Sequence, residues 1–236
     1  VSVPANGTYT AGQTLNFAVQ FNEDISVNTV GGTPRIALTI GTATRYANYF
    51  SGSETDALTF SYTVVAGDLD TDGITVGLLG LNGSAILDAG GNNANLSLNS
   101  VGSTIGVLVD AVPPAVPTNL SATAGNTLVD LQWDANTEPD LDSYSINMLT
   151  NNNGQISVVA TMFVPAGTTT FRHEPLLNGA TYYYEIRAVD HAGNISPASE
   201  TVNATPQASQ SITFDALPDK IYGDAGNDLL TREDVG

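Results

Sequence analysis

Three carboxylates stand two residues apart at Asp68, Asp70 and Asp72, and Gly73 follows them. Alternating aspartates in a loop offer hard oxygens. Calcium takes six to eight of these, from carboxylates, carbonyls, Asn side chains and water. The spacing is that of the first half of an EF-hand loop. The twelfth position, where that loop needs a bidentate glutamate, is Leu79, so the segment is not an EF-hand. It is expected to supply part of a cluster completed by other loops. Those loops are Asn136-Thr137-Glu138-Pro139-Asp140-Leu141-Asp142 and Asp190-His191-Ala192-Gly193-Asn194, and Asp110 is an isolated carboxylate between them and the first segment. A second candidate set is Glu23 and Asp24 with Asp88 and Asn92. For Asp88-Ala89-Gly90-Gly91-Asn92 two readings stand: a cation site, or a turn closed by Asp and Asn.

Other chemistry finds little to work with. His173 lies in a strand-like Phe-Arg-His-Glu stretch and His191 in a turn, and both read as surface residues. No Gly-x-Ser-x-Gly elbow, His-Glu-x-x-His helix or phosphate-cradling glycine loop occurs. The chain is therefore not expected to be an enzyme. Tyr182, Tyr183 and Tyr184 could form a sugar-stacking platform. Strand alternation instead turns Tyr182 and Tyr184 inward and only Tyr183 outward. Tyr46, Tyr49 and Phe50 read more simply as a packed strand than as an exposed patch.

Charge narrows the partners. The 24 acidic residues outnumber 6 basic ones, giving a net charge of −18. Such a field repels nucleic acid and anionic membrane and attracts cations. Cysteine is absent, which removes disulfides, thiolate metal sites and cysteine nucleophiles. No apolar run reaches the length of a membrane-spanning helix, so no membrane insertion is expected. The sequence begins at Val1 without a leader pattern, and reads as a mature product or a segment of something longer.

The positioning elements are strands. Leu15, Phe17, Val19 and Phe21 alternate with polar residues, as do Ile36, Leu38 and Ile40, then Leu58, Phe60, Tyr62 and Val64. Ile74 with Val76, and Leu96 with Leu98, continue the pattern. A period of two describes strands with one buried face. The 236 residues suit two sandwiches of about 100 residues each. Pro113, Pro114 and Pro117 mark a semi-rigid connector at 113–117, because proline fixes φ and cannot donate to a ladder. The expected fold is all-β: a sandwich over 1–112, a second over 118–206, and an extended tail over 207–236. Loops gather at the two ends of a sandwich. Strand counting then places Asp68–Asp72, Asp110, Glu138, Asp140, Asp190 and Asn194 at one seam between the domains.

Pro117, Leu120 and Ala122, then Leu131 and Trp133, then Leu176, Gly179, Tyr182, Tyr184, Ile186 and Ala188 form a spaced set in the second block. With them, residues 118–206 resemble a bacterial fibronectin type III domain, at its opening, tryptophan and tyrosine-corner strands in turn. In the first block the segments Ala11–Leu15, Phe21–Asp24, Gly32–Ile36, Leu58–Val64, Asp68–Ile74 and Leu87–Asn92 follow in order. With them, residues 1–112 resemble a bacterial immunoglobulin-like repeat. In the tail, Ile221–Leu230 resembles one turn of the RTX calcium nonapeptide, with Asp224 where that pattern prefers glycine. One such turn cannot stack alone. The tail reads as the start of a further module, or as an arm that pairs with a neighbour.

These resemblances imply a secreted protein of the bacterial cell surface. The expected role is a spacer in an adhesin or matrix fibre, with calcium at its junctions as in cadherins. Its partners would be neighbouring domains of the same long chain or neighbouring copies, with a glycan or cell-surface protein as a further ligand. Two alternatives remain open: a carbohydrate- or protein-binding accessory module of a secreted enzyme, and a fibre subunit whose tail donates a strand.

Overall fold

The computed structural model describes residues 1–152 and 155–209, with no side-chain detail for 151, 152 and 155. The RTX-like segment at Ile221–Leu230 lies outside the described residues. Those residues form strands, turns and loops.

The first sandwich covers a six-stranded sheet with a three-stranded one. The larger sheet runs β7 (Thr75–Gly80), β3 (Arg35–Ile40), β4 (Ala43–Ser51), β5 (Thr55–Thr63), β2 (Thr14–Asn28), β8 (Ala85–Asp88). The smaller runs β1 (Gly7–Tyr9), β9 (Val107–Asp110), β6 (Leu69–Asp70). The period of two drives this arrangement. Leu15, Phe17, Ile36, Leu38, Leu58 and Phe60 all turn inward and meet Val107 and Val109 of the small sheet. β2 slips its register between Gln20 and Ile25. Phe21 to Asp24 leave the ladder there, and Glu23 and Asp24 become exposed. Leu96 and Leu98 were expected in a strand. They pack half-buried against the core without joining a ladder, since the Asn- and Ser-rich stretch around them breaks regular pairing.

The second sandwich covers a three-stranded sheet with a four-stranded one. One is β10 (Ser121–Ala124), β11 (Val129–Gln132), β14 (Thr170–His173); the other is β13 (Gln155–Pro165), β12 (Leu141–Asn152), β15 (Tyr182–Asp190), β16 (Val202–Ala204). Its core is separate from the first and centres on Trp133, Tyr144, Ile146, Tyr184 and Ile186. Trp133 meets Tyr144 edge-on, with centroids 5.4 Å apart, a geometry that the ring quadrupoles favour. Tyr184 is fully buried and Tyr182 and Tyr183 are half-buried. In the first sandwich Tyr49 stacks edge-on against Phe60, Tyr46 carries the Arg35 guanidinium on its face, and Phe50 stands 73% exposed. His173 is a correction to the surface reading. It is half-buried with Nδ1 3.0 Å from the Tyr184 hydroxyl, and burial holds its pKa below the ordinary histidine value.

The connector is strapped at both ends. Ala111 is buried in the first core, donates to the Asp68 carbonyl and accepts from Gly67 N–H. Four residues on, Ala115 N–H donates to Glu138 Oε1 at 2.6 Å, and the Ala115 carbonyl accepts from Asn136 Nδ2 at 2.8 Å. Pro114 and Pro117 are buried. A connector with fixed φ at its prolines and paired backbone groups between them retains little hinge freedom.

Candidate metal centre at the domain junction

Three carboxylates from three segments converge where the sandwiches meet. Asp110 ends β9, Asp140 stands in the loop before β12, and Asp190 ends β15. Each offers an oxygen lying within 4.8 Å of those of the other two. Asp190 is 3% exposed, Asp110 half-buried and Asp140 exposed. Among the described residues, no Lys, Arg or His forms an ion pair with any of them. Burial pushes the Asp110 carboxyl above the ordinary range, and the neighbouring Asp190 and Asp140 push it further. Three like charges in partial burial repel unless protonated or bridged by a cation.

The local folds that aim these groups are well defined. Asp190 opens a tight loop: the Asn194 N–H donates to its Oδ1 at 2.8 Å and Asn194 Nδ2 to its Oδ2 at 2.9 Å. The same Nδ2 reaches the Asp110 carbonyl at 3.0 Å and its Oδ1 at 3.3 Å. Asp140 is held through its backbone, because its carbonyl accepts from His191 N–H at 2.9 Å and from His191 Nδ1 at 2.7 Å. A carbonyl only accepts, so Nδ1 carries the proton. The loop before Asp140 is anchored at Asn136, whose N–H donates to the Tyr144 hydroxyl at 2.7 Å. The core tyrosine thus sets the height of the junction loop.

Each Asp190 oxygen already accepts one bond and keeps a second lone pair. The donor set is all hard oxygen, with three carboxylates able to bind through one or both oxygens. That chemistry fits calcium.

Other expected ligands lie elsewhere. The Asp68–Asp72 loop does sit beside the connector, as Leu69 faces Asp110 across β6 and β9. The side chains of Asp68 and Asp70 turn into the first sandwich instead. Asp68 accepts from Arg45 Nε at 2.8 Å, from the Tyr62 hydroxyl and from Val65 N–H. Asp70 accepts from Gly41 N–H at 2.7 Å and Gly73 N–H at 2.8 Å. Gly73 adopts φ of +105° with Ile105 backbone where a Cβ would stand, so only glycine fits. Asp68 and Asp70 are 2% and 5% exposed, inside the first sandwich, while Leu69 between them is 44% exposed. Asp72 is exposed and stands outside the cluster. Glu138 clamps the connector backbone instead of joining the trio. The Ala115 N–H holds its carboxyl below the usual range.

Glu23 and Asp88 line one pocket at the other end of the first sandwich. They belong to no group of three acids or histidines among the described residues. Asp88 closes a turn with Asn92, and those bonds hold its carboxyl below the ordinary range.

No family model matches the chain. Over 97 residues it is 35% identical to an amylopullulanase of Thermoanaerobacterium saccharolyticum, which covers 41% of this chain and 7% of that protein. The chain therefore spans a small part of this curated relative. Among solved structures it is similar to the FN1–FN3 domains of chicken CNTN1, at 12% identity and a TM-score of 0.45, covering 88% of this chain and 67% of that one. It is also similar to the third fibronectin III domain of the human KIAA0343 protein, at 21% identity and a TM-score of 0.36, covering 52% of this chain and all of that one.

Proposed function

We propose that this chain is a spacer of an extracellular bacterial protein, and that calcium held by Asp110, Asp140 and Asp190 locks its two sandwiches into one rod. The convergence of three carboxylates from both sides of the seam, without a basic partner among the described residues, carries this reading. The cation would offset the burial that raises the Asp110 pKa, and the repulsion from Asp190 and Asp140 that adds to it. It would also bridge oxygens of both domains, so ion binding and domain alignment become one equilibrium. The role is mechanical and involves no catalysis. Calorimetric titration of the full chain with calcium tests it. Asp190→Asn lowers the uptake by one ion per chain, and equal uptake by the two proteins overturns the assignment.

The amylopullulanase stretch favours a second setting for the same rod, as an accessory module of a secreted glucan-acting enzyme. The rod would then either space catalytic domains or bind the polymer itself. Retardation of the full chain in a gel containing pullulan separates these uses. Unchanged migration leaves spacing as the role.

A further inference from the structure

The loop that grips the connector in the second sandwich is present a second time, in the first. Asp190-His191-Ala192-Gly193-Asn194 and Asp88-Ala89-Gly90-Gly91-Asn92 make the same bonds. In each, the Asn N–H donates to the Asp Oδ1 at 2.8 Å and the Asn Nδ2 to the Asp Oδ2 at 2.9 Å. In each, the Asp N–H donates to the Asn carbonyl, at 3.2 and 2.9 Å, and the fourth-residue glycine donates to the Asp carbonyl, at 3.1 and 3.0 Å. Gly193 and Gly91 share the left-handed conformation, with φ of 88° and 80°. The flanking residues pair alike, Val189 with Ile195 and Leu87 with Asn93. One residue further out, Ser196 donates to Ala188 and Ala94 to Ile86, both at 2.9 Å.

What differs is the cover. Asn194 Nδ2 also reaches the carbonyl and carboxylate of Asp110, and Asp190 is buried beneath that contact. Asp88 is only half-buried and Asn92 is exposed. Beside Asp88 opens a cavity of about 400 Å³ lined by Phe21, Glu23, Asn95, Asn99 and Val1. Thr14 pairs with Thr63, beside Val64 at the connector end, and Ile25 pairs with both Thr55 and Asp88, so Asp88 lies eight β5 residues from that end, about 27 Å at strand rise. The uncovered loop therefore faces away from the existing junction.

We propose that the Asp88–Asn92 loop and the cavity beside it form a docking socket for the end of another β-sandwich built as this first one ends. That end is a strand running into an aspartate and a proline connector, as in Val109-Asp110-Ala111-Val112-Pro113-Pro114. Asn92 Nδ2 would take the place of Asn194 against the incoming carbonyl. Asp88 would meet the incoming aspartate as Asp190 meets Asp110, with Glu23 as the third acid beside it. The inference rests on the spacer reading, since the incoming carboxylate needs the same cation. It makes the first sandwich a unit that chains head to tail.

A longer chain tests this. Residues 1–116 are placed ahead of the full chain, so that the natural connector leads into the second copy of Val1. The protein has no cysteine of its own, so spin-label pairs can be introduced cleanly across the new junction and across the existing one. With calcium, both pairs should give narrow distance distributions. Asn92→Ala in the second copy should broaden only the new junction, and Asn194→Ala only the existing one. A broad new junction beside a narrow existing one overturns the socket and leaves the spacer reading standing. Broad distributions at both overturn the two together.

Discussion

The Asn194 side-chain amide donates to both the carbonyl and the carboxylate of Asp110, at 3.0 and 3.3 Å. A loop of the second sandwich thus grips the last strand residue of the first. The same amide nitrogen also holds Asp190, so one group orders two of the three candidate ligands. Asn194→Ala should leave each core intact and loosen their alignment, with a coupling loss of about 1–3 kcal/mol for the unsatisfied groups. Inter-domain spin-label distances should broaden while the melting of each domain stays in place.

Asp110→Asn should have opposite effects with and without calcium. In chelator the carboxylate is disfavoured by burial and by Asp190 and Asp140, so the amide should match or exceed the native chain in stability. In calcium the native chain gains ion binding that the variant has lost. Melting curves of the two proteins should therefore cross over between EDTA and calcium.

The pH dependence follows from the same group. Asp110 has a folded-state pKa above its unfolded value, so the folded junction binds a proton more tightly. Its penalty is full above the raised value and vanishes below the unfolded one. In EDTA, domain alignment should tighten as pH falls from neutral toward about 4. With calcium the trend should reverse, because protons compete for the ligand. Scattering profiles across that range, in both conditions, check the sign.

Asp68 behaves the other way. Burial opposes its ionisation, but bonds from Tyr62, Arg45 and Val65 N–H outweigh it and hold the carboxyl below its ordinary value. Burial and the Asp68 contact push the Tyr62 hydroxyl up to about 12. Asp68 thus contributes stability that is fully present above its unfolded pKa and is lost as pH falls through the lower folded one. Asp68→Ala removes the partner of Tyr62 and Val65 N–H, while Arg45 keeps access to water, and should cost the first sandwich about 1–3 kcal/mol. Calcium uptake per folded chain should not change. Trp133 is the single tryptophan and lies in the second core, so its fluorescence should melt where it did before.

Much of the frame was legible in the sequence. Leu15, Phe17 and Val19 alternate because one face of β2 is covered, and the prolines at 113, 114 and 117 mark the seam because they cannot join a ladder. Asp110, Asp140, Asp190 and Asn194 were reachable because sandwich loops collect at the ends. Asp68 and Asp70 misled for a physical reason. Alternation says that two residues share a face, and aspartates are assigned to the wet one by default. Here Leu69 faces out and the aspartates face in, satisfied by Arg45, Tyr62 and the N–H groups of Gly41 and Gly73. Gly73 and Tyr62 are near in sequence, but Arg45 and Gly41 are not, and only the register brings those two to the aspartates. Tyr144 as an anchor of the Asn136 loop was hidden likewise, because its ring is core and only its hydroxyl reaches the junction. Leu96 and Leu98 alternate correctly but lack a neighbour to pair with.

The most direct test of the junction is small-angle scattering of the full chain, with calcium and with EDTA, beside the Asp190→Asn variant. The native chain should show a single rod-like profile in calcium and a larger spread of domain arrangements in EDTA. Asp190→Asn should give the EDTA-like profile in both conditions. Superimposable native profiles with and without calcium would contradict the claim that an ion locks the two sandwiches together.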